Sequence, residues 1–154
     1  MLIDSAGETV GYAPEGLVMK MMASHFTEAL PVKVTGNSPQ QPMRGTPMVD
    51  IGKNPTGSST YPLDILAALS KDRKTFILSI VNPTQQAHSF TSKISGVTLR
   101  GNGKLSQIAA PDAHSNNEPG KEPGVSINER PQTTLPQVVE VPPISVNVYR
   151  FEIA

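Results

Sequence analysis

The stretch Tyr61-Pro-Leu-Asp-Ile-Leu-Ala-Ala-Leu-Ser70 is followed, after the charged tetrapeptide Lys71-Asp-Arg-Lys74, by Thr75-Phe-Ile-Leu-Ser-Ile-Val-Asn-Pro83. Both apolar runs have the length of a strand, and the short polar connection between them predicts a β-hairpin closed by prolines at its outer ends. In the second run apolar side chains occupy both alternating faces. This pattern predicts a strand in the centre of a sheet, because a central strand is buried on both sides.

Further strand signals follow at short spacing. The more polar segment His88–Ile94 predicts an edge strand. Leu99 leads into Gly101-Asn-Gly103, which predicts a hairpin turn because glycine and asparagine tolerate positive φ, with Leu105–Ala110 as the returning strand. Two later segments are expected to bring the chain back to the sheet: Val125–Ile127 and Val138–Val141.

In the C-terminal segment, apolar side chains occupy the even-numbered positions from Ile144 to Val148 and the odd-numbered positions from Tyr149 to Ile153. This change of phase predicts a bulge or twist near Tyr149 and Arg150. Taken together, the many short strands predict a mainly β fold, an antiparallel β-sandwich of jelly-roll-like type.

One helix signal lies near the N-terminus, over residues 13–27. Pro14 suits the first turn of a helix, and Glu15 suits the positive end of the helix dipole. The apolar side chains recur at the spacing of one helical face: Leu17, Val18, Met21, Met22, His25 and Phe26. A methionine-rich stripe favours core packing over a specialised binding surface, and His25 is interpreted as a packed or capping residue rather than a catalytic base.

Composition limits the possible functions. With 154 residues, of which 37% are hydrophobic, the chain can form one compact core. Thirteen basic and 13 acidic residues cancel without forming a basic stripe, so neither a nucleic acid nor a membrane is expected as a partner. The absence of cysteine excludes disulfides and thiolate chemistry. The first residues lack the basic and apolar regions of a signal peptide. Because Met1 need not be the start of the parent polypeptide, the expected location stays open between cytoplasm, periplasm and secretion.

The candidate reactive groups of the sequence do not have the spacing that their chemistry requires. Asp112, His114 and Glu118 lie in the Pro/Gly-rich segment Pro111–Pro123, but their spacing matches no standard metal site, so a solvated loop is favoured. The chain has no Gly-x-Ser-x-Gly motif, and Gly101-x-Gly103 lacks the third glycine of a dinucleotide-binding loop. We therefore expect no cofactor-binding or metal-binding residue and no cofactor.

Five short motifs follow one another along the chain: Tyr61-Pro-Leu-Asp with Ala67, Leu78 to Pro83, Gly101 to Gly103, Asp112-Ala with Asn117-Glu-Pro-Gly120, and Val141-Pro-Pro-Ile-Ser-Val146. This series resembles the C-terminal β-sandwich domain of the α-L-arabinofuranosidases of glycoside hydrolase family 51. The upstream segments Leu2–Glu8 and Ala13–Phe26 are similar to the last strand and helix of that family's (β/α)8 catalytic barrel, and Leu30–Val34 to its passage into the sandwich.

The resemblance implies three parts: a barrel tail over residues 1–34 with the helix at 13–27, a Pro/Gly-rich connector over 35–60, and the sandwich over 61–154. Within the connector, Met48–Ile51 is a candidate edge strand. The implied partners are the catalytic barrel of the parent polypeptide and further copies in a homo-oligomer. The stripe of Leu17, Met21 and Met22 would then pack on barrel strands and be exposed in the chain by itself.

The implied function is that of a non-catalytic accessory domain of an enzyme that hydrolyses terminal non-reducing α-L-arabinofuranosyl residues in arabinoxylan or arabinan. A retaining glycosidase needs two carboxyl groups about 5–5.5 Å apart. In this family both glutamates lie on barrel strands, the acid/base in an Asn-Glu setting and the nucleophile in a Glu-Trp-like setting. The chain has no tryptophan, and Asn117-Glu118 sits in the predicted sandwich loop and is not the barrel motif. No catalytic residue is therefore carried over from the family, and the chain is expected to be inactive alone. Two alternatives stay open: an independent carbohydrate-binding module and an immunoglobulin-like structural domain.

Overall fold

The computed structural model describes residues 2–3, 6–38 and 58–154, so the candidate edge strand Met48–Ile51 lies outside the described residues. In chain order the elements are β1 (Leu2–Ile3), β2 (Thr9–Gly11), α1 (Pro14–Phe26), β3 (Leu30–Val32), β4 (Asp64–Leu69), β5 (Thr75–Asn82), β6 (His88–Thr91), β7 (Leu99–Ala109), β8 (Asn128–Gln132), β9 (Val138–Val141) and β10 (Ser145–Ile153). Within these ranges, no helix has the length and apolar character needed to cross a membrane.

The described strands form a main sheet of six, in the order β3-β4-β5-β10-β7-β8, and two small sheets, β6-β9 and β1-β2, with antiparallel pairing throughout. The β6-β9 sheet covers one face of the main sheet, where Val139 and Val141 share a core with Leu78 and Phe151. Helix α1 covers the other face, where Met21 packs with a second apolar cluster. The predicted β-sandwich with one helix is therefore confirmed.

The hairpin predicted at Tyr61–Pro83 is confirmed as β4 and β5, and β5 lies inside the main sheet as expected. Two hydrogen bonds stabilise the polar connection between these strands. The Ser70 amide donates to the Thr75 carbonyl at 2.9 Å, and the Asp72 carboxylate accepts from the Lys74 amide at 3.1 Å. The edge strand predicted from His88 is also confirmed, because β6 pairs with β9 alone among the described strands.

The bulge or twist predicted near Tyr149 and Arg150 is found on one side of β10 only, and slightly further along the strand. The register of β10 against β5 runs without a break from Ser145 to Glu152. The irregularity lies instead against β7, between Phe151 and Ile153. No change of phase is needed, because alternate side chains of a strand point to opposite faces and β10 has an apolar layer on each face.

The predicted turn at Gly101-Asn-Gly103 is wrong. These residues lie inside β7, which is one continuous strand of 11 residues, so Leu105–Ala110 is not a separate returning strand. Neither glycine has a positive φ. Gly103 lies opposite Phe151, and a Cβ added there would overlap the aromatic ring. Glycine is required at this position for the close approach of a side chain, not for a turn.

The helix predicted over residues 13–27 is confirmed as Pro14–Phe26, but the expectation that its apolar stripe is exposed in this chain is wrong. Met21 is 2% exposed, and Leu17 and Met22 pack with it against Ile77 and Val148 of the main sheet. The sheet therefore has a cover for its second face within the chain itself.

The return to the sheet was expected at Val125–Ile127, whereas the strand there, β8, begins at Asn128. Val125 is instead buried in the cluster under α1. The strand β8 reads Asn-Glu-Arg-Pro-Gln and has no apolar alternation, since it forms the outer edge of the main sheet and most of its side chains face solvent.

Substitution of Gly103 by alanine is expected to destabilise the chain by about 1–3 kcal/mol, because the new methyl group overlaps the Phe151 ring and lies 2.9 Å from the Arg150 carbonyl oxygen. Gly101→Ala is the matched control in the same strand, since its Cβ would meet only the Thr133 carbonyl oxygen, at 3.4 Å. Urea denaturation monitored by circular dichroism gives both values. Equal midpoints for the two variants would contradict the packing argument.

Candidate functional site

A polar cluster lies on the face of the main sheet that α1 covers, beside the apolar cluster of Met21 and Ile77. The Lys104 ammonium group donates to Glu129 Oε1 at 2.8 Å, and Ser106 Oγ donates to the same oxygen at 3.0 Å. His25 Nε2 lies 3.2 Å from Ser106 Oγ. We call these four residues the His25 cluster. They come from three elements: α1 supplies the histidine, β7 supplies the lysine and the serine, and β8 supplies the glutamate.

The hydrogen bonds define the tautomer of His25. A serine hydroxyl has one proton, and that of Ser106 is donated to Glu129. Ser106 Oγ can then only accept from the imidazole, so His25 carries its proton on Nε2. The other ring nitrogen, Nδ1, is buried and has no hydrogen-bond partner among the described residues.

The charges around the cluster favour a neutral imidazole. Burial is the main cause that lowers the pKa of His25 below its ordinary value of 6.5, and the positive charges of Arg150 and Lys104 lower it further, whereas Glu129 opposes them. The pKa of Glu129 is lowered by the hydrogen bonds from Lys104 and Ser106, so the glutamate is ionised at neutral pH.

The His25 cluster is not arranged for nucleophilic catalysis. Ser106 is 1% exposed, so its hydroxyl cannot meet a substrate. Its proton goes to Glu129, whereas a catalytic serine would give its proton to the histidine. The cluster instead ties α1 to the sheet. The interpretation of His25 as a packed residue is confirmed. The sequence analysis did not identify the roles of Ser106 and Glu129. The local signal for Ser106 is its position as a polar residue beside Leu105 in a buried strand.

The residues considered as a metal set do not converge. The Asp112 carboxylate accepts from the His114 backbone amide at 2.6 Å, and Glu118 forms an exposed ion pair with Lys121 at 2.6 Å. Across the described ranges, no group of three or more histidine or acidic side chains is placed to hold a metal ion.

Asn117, between these residues, has a structural role that the sequence did not reveal. It is buried, and its side-chain amide donates to the carbonyls of Tyr12 at 2.9 Å and Val125 at 2.8 Å. Its Oδ1 accepts from the Val125 amide at 2.8 Å. These bonds fasten the long loop before β8 to the segment that leads into α1, so both stay on the same face of the sheet.

A cleft of about 1120 Å³ lies on the opposite face of the main sheet. Its floor includes Ala67 and Leu78 of the sheet, and Tyr61 and Phe90 are among its lining residues. Tyr61 is 39% exposed, which makes it the most accessible aromatic side chain of the cleft in the described part of the chain. A partly exposed aromatic ring beside an apolar floor can contact a sugar ring.

No protein-family model and no curated protein matches this sequence. Among solved structures, the chain is similar to the GH51 arabinofuranosidase from Xanthomonas axonopodis pv. citri, with a TM-score of 0.64 and 14% identity over 91% of this chain and 26% of that chain. It is also similar to the GH51 α-L-arabinofuranosidase from Thermotoga petrophila RKU-1, with a TM-score of 0.59 and 18% identity over 95% of this chain and 31% of that chain.

The α-L-arabinofuranosidase from Thermotoga maritima, solved as an arabinose complex, is a third similar structure, with a TM-score of 0.51 and 19% identity over 65% of this chain and 21% of that chain. At such identities the likeness shows the fold alone. The chain therefore has a fold found in GH51 arabinofuranosidases, and it spans about a fifth to a third of the length of these enzymes.

Replacing Asn117 by alanine is expected to destabilise the chain by about 1–3 kcal/mol for each buried backbone group that it leaves unpaired, because the amide and the carbonyl of Val125 lose their partner. Glu118→Ala is the matched control, since it removes only the exposed ion pair with Lys121 and is expected to change stability by less than about 1 kcal/mol. Thermal unfolding curves of both variants test this, and an unaltered Asn117→Ala curve would refute the assigned role.

Proposed function

We propose that this chain is the non-catalytic C-terminal accessory region of a family 51 α-L-arabinofuranosidase, which packs against the catalytic barrel of its parent enzyme. The observation that carries the proposal is the extent of the fold likeness. Residues 61–154 make up only about three fifths of the chain, so a likeness over 91% and 95% of it must reach well into the segment before residue 61. The resemblance in sequence covers the same two parts in the same order.

The chemistry of the chain supports an accessory role. The buried asparagine side chains of its main sheet form hydrogen bonds that stabilise the fold. The Asn82 amide donates to the Gln86 and Pro142 carbonyls, each at 2.8 Å, and the Asn147 amide donates to Ser145 Oγ at 2.9 Å. The sequence has no tryptophan and no copy of the family's barrel motif. Support of a neighbouring barrel, and of an oligomer, is a function that such a sandwich can fulfil without a reactive centre.

The proposal predicts that the purified chain releases no arabinose from 4-nitrophenyl α-L-arabinofuranoside, because it lacks the pair of catalytic glutamates. The reading frame upstream of the Met1 codon is expected to encode a barrel that carries both glutamates. Expression of that whole polypeptide should give an active enzyme, and removal of residues 61–154 should lower its soluble yield and thermal midpoint. Arabinose release by this chain alone, or an upstream frame without a barrel, would contradict the proposal.

A carbohydrate-binding module is the second candidate, favoured by the cleft with Tyr61 on its wall. Affinity electrophoresis in gels that contain arabinoxylan or arabinan separates the two candidates. An accessory domain migrates as it does in a plain gel. Retardation that is lost in Tyr61→Ala and kept in Tyr12→Ala, a tyrosine outside the cleft, would favour the binding module instead.

A further inference from the structure

We propose that His25 is an acid-sensitive latch, which holds α1 on the main sheet while its imidazole is neutral and releases the helix when the imidazole is protonated. The inference concerns the fold of this chain and does not depend on the proposed function. It follows from the way in which the histidine is held.

The docked helix accommodates only one of the two protonation states. In the neutral state the Nε2 proton is donated to Ser106 Oγ, and Nδ1 is a neutral acceptor left unpaired in the described part of the chain, which costs less than an unpaired charged donor. Protonation would add an N–H at Nδ1, at a position where no acceptor lies within reach among the described residues. A buried, charged donor without a partner is costly, whereas the same imidazolium in water is fully hydrated.

The charged groups that face His25 come from each strand beneath it. They are Lys104 on β7, Glu129 on β8 and Arg150 on β10. Glu129 and the negative end of the helix dipole favour protonation, but the glutamate is already shared between Lys104 and Ser106. The nearest strand on the other side, β5, presents Ile77 and Ser79 to the helix and carries no charge there. Burial and two cations therefore outweigh one shared anion.

The consequence is local because α1 belongs to only one of the two apolar clusters. Its release uncovers the cluster of Ile77, Val146 and Val148. The cluster on the opposite face, which includes Leu78 and Phe151, contains no residue of the helix. The six-stranded sheet can therefore persist under the β6-β9 sheet while the helix is detached.

The sign of the pH effect follows from the two pKa values. When the helix is released, His25 titrates near its ordinary value of 6.5, and in the docked state it titrates lower. Well above pH 6.5 neither state is protonated, so docking is strongest. As the pH falls through 6.5 towards the lower pKa of the docked state, the released state takes up a proton that the docked state does not. The ratio of released to docked helix then rises, with a limiting slope of about tenfold per pH unit.

Hydrogen exchange followed by NMR tests the latch. After correction for intrinsic exchange, the protection factors of amides in Pro14–Phe26 are expected to fall as the pH drops below 6.5, by at most about tenfold per pH unit, while those of the central strand β10 change much less. His25→Gln keeps an amide donor for Ser106 without a titrating group, so its helix protection should not depend on pH. His114→Gln, at an exposed histidine, should retain the dependence of the natural chain.

The proposal is overturned if His25→Gln shows the same pH dependence as the natural chain, or if the protection of α1 and β10 falls in parallel. Should His25→Gln fail to fold, NMR titration of the His25 ring in the natural chain decides the question. The ring is expected to titrate below pH 6.5, and a His25 titration at or above pH 6.5 would refute the latch.

Discussion

The fold depends on one constraint, the burial of β10 on both of its faces. This strand lies between β5 and β7, so every main-sheet hydrogen bond on its two sides is made to a neighbour within the chain. Val146 and Val148 belong to the apolar cluster under α1, whereas Tyr149 and Phe151 belong to the cluster under the β6-β9 sheet. Because a central strand alternates its side chains between two apolar layers, neither cover can be removed without exposing half of the strand to water. The helix and the small sheet therefore bury one face of β10 each, and detachment of the helix exposes only the face that carries Val146 and Val148.

The polar groups within these layers follow from the same constraint. A buried donor or acceptor must find a partner, and the three buried asparagines do so through bonds to backbone carbonyls: Asn82, Asn117 and Asn147. Each of them connects segments that are distant in the chain. His25 differs from them, because one of its ring nitrogens is paired and the other is not. A fully paired group holds a contact at all pH values, whereas a half-paired titratable group holds it in one protonation state only.

The likeness to arabinofuranosidases and the chemistry of the chain point in the same direction. The fold is found in those enzymes, and the buried polar side chains of this chain stabilise the sandwich and connect its layers. An accessory sandwich needs a stable body and a surface for its neighbour, and neither requires a reactive residue. Fold similarity by itself does not define a function, so a parent enzyme stays a proposal, supported by the order of the sequence motifs together with the extent of the structural match.

The sequence by itself determined the elements whose signals are local: the helix at Pro14–Phe26, the hairpin of β4 and β5, and the long irregular segment before β8. Periodicity, turn residues and proline positions act over a few residues, so they can be read without the fold. Tertiary structure decided what depends on distant neighbours. Gly103 accommodates the Phe151 ring instead of forming a turn, and the two apolar faces of β10 need no change of phase because both are covered. The His25 cluster likewise joins residues about 80 positions apart, and no local pattern specifies that Ser106 will lie beneath the helix.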